Sequence, residues 1–279
     1  MDLYNYYVWE NADPRTHDWF LAGSPFPVLG VIVGYLSLVY YIVPKYMENR
    51  EPYKMKTFLG FYNLFQVGYC VMVVVKCFQA GWTPDYFYRC YETDYSYSPK
   101  ALKMAEVTWY ILFIKFVELL ETILFVLRKK QNQVSFLHVY HHISTFVIAY
   151  IFCKYVGGSM LVFSIVANSI VHIIMYSYYF ISAYDVAMFK YVAGKIKRYI
   201  TSMQLTQLIT VLINLGFAMS PGCPVPVGHC MFHGPNMALQ IKLFADFYLR
   251  TYASKKTTKD NLLSNEIVVN VTNNTYKRK

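Results

Sequence analysis

The fold class this chain predicts is all-α: a polytopic membrane protein with seven transmembrane helices. Three observations carry that expectation. Hydrophobic residues make up 56% of the 279 and charged residues only 15%, well under the usual quarter for a soluble domain. Several stretches without Asp, Glu, Lys or Arg approach or exceed the roughly 20 residues that cross a bilayer. The basic residues, finally, gather on alternate loops, as expected of a chain threaded through a membrane.

The elements follow in order. Charge-free runs at Trp19–Pro44, Thr57–Val75, Gln131–Cys153 and Tyr155–Tyr184 give one span each. The run Tyr199–Ile241 is long enough for two, divided by "SPGCPVPVG" at 220–228, where Pro and Gly force a turn. One more apolar run, Met104–Leu127, carries Lys115, Glu118 and Glu121 inside it. The predicted helices lie near 27–43, 57–76, 105–127, 134–152, 160–183, 200–218 and 230–249. Residues 1–253 form one transmembrane domain, and 254–279 read as a polar, flexible cytosolic tail. Asp2 and Glu10, with no basic n-region, argue against a cleavable signal peptide.

Of the Lys and Arg outside the spans, 18 fall on one face and 6 on the other. That places the C-terminus in the cytosol and the N-terminus outside it. The net charge of +10 therefore belongs mostly to the cytosolic face, where it suits anionic lipid headgroups or a phosphorylated soluble substrate. With no soluble basic domain, nucleic acid is a poor partner. All six cysteines lie in the exterior half, and Cys90 and Cys223 occupy the two loops best placed to be bridged. The other four read as small buried apolar residues.

With the helix directions set, the buried polar residues can be compared for depth. "SFLHVYHHISTF" puts His138, His141 and His142 on one helix face at i, i+3 and i+4. Glu118 and Glu121 on the third helix, His172 and Tyr176 on the fifth, Thr201, Gln204 and Gln207 on the sixth, and Lys242 and Asp246 on the seventh reach a similar depth. That layer lies roughly 5–15 Å below the cytosolic surface at the helical rise per residue. Convergence of this kind builds sites inside helical bundles, although Asn168, Gln204 and Gln207 can equally join helices by hydrogen bonds. The opposite halves, "TFVIAYIF" and "LVFSIV", are almost purely apolar. An amphiphile fits such a layout, with its charged head near the cytosol and its tail in the bundle. His229 and His233, near the far end of the seventh helix, could cap that interior but read more simply as satisfied structural histidines.

Four segments then resemble, in order, motifs of the ELO family of very-long-chain fatty acid elongases. "KFVELLET" (115–122) is similar to its KxxExxDT, and "NQVSFLHVYHH" (132–142) to its histidine box. "NSIVHIIMYSYY" (168–179) is similar to NxxxHxxMYxYY, and "TSMQLTQ" (201–207) to TxxQxxQ. Glu121 stands where the family motif has Asp, one methylene shorter. The resemblance implies a multi-pass protein of the endoplasmic reticulum enclosing an acyl tunnel. Its implied activity is that of a 3-ketoacyl-CoA synthase: long-chain acyl-CoA condenses with malonyl-CoA, releasing carbon dioxide and one CoA. No cofactor is expected beyond the CoA thioesters themselves. The reductases and dehydratase of an elongation cycle are the expected protein partners.

The resemblance also implies roles for residues. His141 would take the acyl group, since histidine forms covalent acyl intermediates and no cysteine lies in the polar layer. His172 would stabilise the enolate or move a proton. His138 and His142 would set the tautomer and orientation of His141. Lys115, Glu118 and Glu121 would form a buried charge network under the histidine helix, with Asn168, Tyr176, Gln204 and Gln207 in support. Lys195, Lys197, Arg198 and Arg250 are candidates for the CoA phosphates by position, and the family pattern implies a Cys90–Cys223 disulfide. The ending "TYKRK" lacks a full dilysine retrieval signal, and sequons at Asn270 and Asn273 should stay unmodified on a cytosolic tail.

Two other classes have less support. Histidine-box di-iron desaturases and hydroxylases resemble one another in using roughly eight histidine ligands, a suitable donor for iron. This chain has seven in all, with His17, His229 and His233 on the wrong side, so no metal is expected. A seven-helix receptor would match the helix count but has no use for histidines and carboxylates concentrated at the cytosolic third.

Overall fold

A computed structural model describes residues 5–184 and 187–253 of the chain. Among them there is helix and no strand. The seven long helices are α1 (Pro25–Met47), α2 (Lys56–Gln79), α3 (Pro99–Leu127), α4 (Phe136–Tyr155), α5 (Val162–Ala183), α6 (Ala187–Ala218) and α7 (Val227–Tyr248). The tail 254–279 and its sequons lie outside the described residues.

Their starts follow from local chemistry. Ser24, Ser98 and Ser135 accept from the first-turn amides of Phe26, Ala101 and His138 respectively, and Pro25 and Pro99 bring the φ a first helical residue needs. The Ser98–Pro99 start makes α3 begin six residues before the expected 105. Helix α6 begins well before 200, so the expected loop around Lys195, Lys197 and Arg198 is helical instead. Within α1 the ladder widens to a π-turn over Leu38–Ile42, just ahead of Pro44, which has no amide hydrogen to give.

Helix α2 packs along α5, α3 along α4, α6 along α7 and α5 along α6; α2–α3 and α4–α7 contacts complete the circuit. Six helices therefore form a ring in the order α2, α3, α4, α7, α6, α5. Helix α1 lies outside it, against α3 and α4. The outward faces are apolar and exposed, with Val33, Phe61, Leu64, Ile213 and Phe232 among them, a surface suited to lipid.

Among the described residues, five helices are long and apolar enough to cross a membrane: Pro25–Met47, Lys56–Gln79, Phe136–Tyr155, Val162–Ala183 and Lys195–Ala218. The two others, α3 and α7, owe their lower hydropathy to inward-facing polar residues: Lys115 and Glu118 on one, His229, His233 and Gln240 on the other, all buried. The chain is a multi-pass membrane protein.

At the ring's end away from the histidine box, the N-terminal segment is clamped onto α3 and α4. Asp13 and Arg15 form a buried ion pair at 2.6 Å. Arg15 also donates to the carbonyls of Ala101 and Gly157, both at 3.3 Å. Lys154, 1% exposed, donates to the carbonyls of Val8, at 2.9 Å, and Gly23. Cys90 and Cys223 are joined by a disulfide across a separation of 133 residues, tying the α2–α3 loop to the α6–α7 loop. Cys70, Cys77, Cys153 and Cys230 are free and buried. In the bridged loop, hydrogen bonds from Thr83, Tyr91 and Arg89 hold the Asp85 carboxyl down to about 2.

Candidate active site

Helices α3, α4, α5 and α7 bring the polar layer together. Glu118 is almost wholly buried and meets two partners: Lys115 Nζ at 2.9 Å from Oε2 and His172 Nδ1 at 3.1 Å from Oε1. An isolated charge at this depth would be very costly, and pairing with Lys115 makes it tolerable. Glu121 stands apart from that pair, its Oε2 lying 3.5 Å from His142 Nε2 and accepting from the Tyr176 hydroxyl at 3.4 Å. The expected single network of Lys115, Glu118 and Glu121 is thus two clusters, one centred on each carboxylate.

The histidine box opens in three directions. His138 Nε2 lies 3.0 Å from Thr122 Oγ1, which itself accepts from the Tyr35 hydroxyl at 2.7 Å. His142 turns to Glu121. His141 turns across the ring to α7, where its Nδ1 is 3.1 Å from Gln240 Oε1. The other end of that amide donates to Ser144 Oγ at 3.0 Å, and Ser144 in turn donates to the His141 carbonyl at 3.2 Å. With its nitrogen spent as a donor, Gln240 offers its oxygen as an acceptor. The contact suits a proton on Nδ1 of His141, which would leave a lone pair on Nε2. Gln240 is the side chain that meets His141 Nδ1, while His138 and His142 turn to Thr122 and Glu121.

His141 lines a narrow cavity of about 70 Å³, small beside the usual run of small-molecule sites. Lys115, Asn168, Gln207, Asn236 and Gln240 share its wall with Ile111, Ala149, Phe152 and Val211. His172 is not among the residues of that wall; its Nδ1 lies 3.1 Å from Glu118 Oε1. A second cavity, of about 450 Å³, reaches from Glu121 and Gln204 to Arg128 and Lys197, within the range of small-molecule sites. A third, beside it, is lined by Lys54, Lys56, Arg128, Lys129 and Lys130.

Of the four phosphate candidates, Lys197 lines the second cavity. Arg198 donates to the Tyr248 hydroxyl at 2.9 Å on an exposed face, while Lys195 and Arg250 are exposed. Arg128 lines the second cavity as well and Lys56 the third, which loop position alone does not reveal. Gln204 donates to the Met175 sulfur at 3.3 Å, a helix-joining bond. Gln240 was missed too, along with Asn236. The available signal was spacing: His229, His233, Asn236 and Gln240 recur at i, i+4, i+7 and i+11, one face of α7. His229 and His233 are also not the satisfied histidines expected, since both His229 ring nitrogens and His233 Nδ1 are buried without a hydrogen-bond partner.

Glu121, His138 and His142 bring one potential metal-ligand atom each within 4.8 Å of one another. That donor set suits one cation at most. His17 sits with Trp9, and His229 and His233 flank Phe152.

A sequence profile of the ELO: GNS1/SUR4 family matches residues 20–260. Over 256 residues the chain is 37% identical to human very long chain fatty acid elongase 4, covering 91% of this chain and 80% of that one. A very long chain fatty acid elongase of Aedes aegypti is 35% identical over 257 residues, 92% of this chain and 71% of its own. Drosophila melanogaster very long chain fatty acid elongase 7 is 37% identical over 245 residues, 88% and 74% respectively. On the family match and these identities, the chain belongs to the ELO: GNS1/SUR4 family.

Proposed function

We propose that this protein is a fatty acid elongase, the condensing enzyme that joins a long-chain acyl-CoA to malonyl-CoA. The observation that carries the reading is the 3.1 Å contact of His141 Nδ1 with Gln240, which leaves Nε2 free to act as nucleophile in the wall of a mostly apolar cavity. His141 Nε2 attacks the thioester carbonyl, the carbon–sulfur bond breaks, and CoA leaves as a thiolate that solvent protonates, while the imidazole keeps its Nδ1 proton against Gln240. The resulting acyl-imidazole is activated and shielded from water. Malonyl-CoA then loses carbon dioxide, its carbanion takes the acyl group, and the nitrogen–carbon bond breaks to restore the imidazole. The product is a 3-oxoacyl-CoA two carbons longer.

Lys115, held beside the cavity by Glu118, supplies positive charge for the oxyanion and enolate. His172 acts through the same carboxylate. His138 and His142 brace the histidine helix against Thr122 and Glu121, the latter in the wall of the second cavity. We place the CoA at that cavity's mouth, its phosphates near Arg128 and Lys197, and the acyl tail in the His141 cavity. The basic mouth faces the cytosol in this reading, with seven spans, an exterior N-terminus and a tunnel closed toward the lumen of the endoplasmic reticulum. The chemistry needs no cofactor beyond the CoA thioesters, and the reductases and dehydratase of the cycle would consume the product. Purified protein given palmitoyl-CoA and malonyl-CoA labelled in its free carboxyl should release labelled carbon dioxide. Release that needs no acyl-CoA, or no release at all, would reject the assignment.

A further inference from the structure

The His141 cavity is not the plain hydrocarbon sleeve that an unsubstituted acyl tail requires. The polar face of α7 runs along it: Gln240 at His141, then Asn236, then His233. Asn236 uses its oxygen to accept from the Tyr140 hydroxyl at 2.8 Å, which leaves its Nδ2 buried without a partner. His233 is 3% exposed, and its Nδ1 is likewise unpartnered. Directly behind it stands His229, its ring 5.9 Å from that of His233 and 4.6 Å from that of Phe152. Buried polar atoms left unpaired are costly, and two of these line the space meant for the tail.

We propose that the cavity recognises an acyl chain bearing a hydroxyl group, which Asn236 and His233 hold between them. A hydroxyl both accepts and donates. Its oxygen takes the N–H of Asn236, and its proton goes to Nδ1 of a neutral His233. A carbon–carbon double bond offers only a weak acceptor and would leave one of the two groups unanswered. Asn236 and His233 lie four and seven residues from Gln240, about 6 and 10 Å along the helix at its usual rise. The hydroxyl therefore belongs about that far along the chain from the reacting carbonyl, well clear of the thioester. A site that hydrogen-bonds a substrate hydroxyl discriminates against the chain lacking it, because its own polar groups are then left unpaired.

The inference rests on the elongase reading, and the test separates the two. Purified protein receives malonyl-CoA and acyl-CoAs of one chain length: saturated, cis-unsaturated, and a panel with one hydroxyl stepped along the chain. The best hydroxyacyl-CoA should exceed the saturated one in kcat/KM by at least about tenfold, the worth of one good hydrogen bond. Asn236→Leu and His233→Phe should each pull that ratio toward one. A ratio at or below one at every position, with the saturated chain elongated normally, overturns the inference alone. So does a preference for the unsaturated chain. Failure to elongate any acyl-CoA sinks the elongase reading and this inference with it. The wild-type ratio stands whether or not a variant folds.

Discussion

Replacing Gln240 by Leu removes the one acceptor that holds the His141 proton on Nδ1. Gln240 is wholly buried, so no water reaches its side chain to take over the 3.1 Å contact. The bond from its amide to Ser144 disappears as well. A buried donor stripped of its partner costs about 1–3 kcal/mol. If the imidazole escapes that cost by moving its proton to Nε2, it loses the nucleophilic lone pair instead. Expressed as a barrier, the same energy slows acylation by about 5- to 150-fold. The assay is single-turnover release of CoA from palmitoyl-CoA without malonyl-CoA, which isolates the first half of the reaction. The loss should appear in the rate constant for acylation more than in the concentration dependence, because Gln240 acts on the reacting ring of His141. Gln240→Glu keeps an oxygen facing Nδ1 and should recover most of the rate. A folded Gln240→Leu protein that acylates at the wild-type rate would refute the tautomer argument.

Three further outcomes follow from the same geometry. Ala149→Phe, which fills the His141 cavity from α4, should shorten the longest product in a chain-length profile. Ala218→Phe, in the apolar cluster around Leu215, should matter less. Glu118→Gln leaves Lys115 buried without its 2.9 Å partner; breaking a buried pair costs about 3–5 kcal/mol, so the melting temperature in detergent should fall steeply, and an unchanged melt would contradict the pairing. Reducing the Cys90–Cys223 bridge, or replacing both cysteines by Ala, should lower stability by about 2–4 kcal/mol, read as a drop in melting temperature with the same product profile.

Much of this architecture was legible in residue order. Charge-free runs mark where α1, α2, α4 and α5 lie, and the Pro/Gly stretch at 220–228 marks the turn between α6 and α7. Helix ends were less legible, because a Ser–Pro start such as Ser98–Pro99 sets a boundary through one cap and not through hydropathy. The histidine, glutamate and lysine positions were visible because charged and imidazole groups stand out in apolar runs. What they touch was not. Glu118 and Glu121 sit three residues apart yet serve different clusters, a consequence of how α4 and α5 approach α3. Gln240 escaped notice because a lone glutamine in an apolar helix is unremarkable until the facing histidine is known. Nor could loop composition show that Arg128 and Lys197 share one mouth while Arg198 turns to Tyr248.

Peptide mass spectrometry after a short incubation with palmitoyl-CoA alone shows whether His141 carries the acyl group. Free CoA and a palmitoyl increment on the peptide containing His141 are expected, both abolished in a folded His141→Ala variant, with acylation surviving in His172→Ala. An increment on any other residue, turnover that survives loss of His141, or activity that dies on chelation and returns with iron would contradict that role.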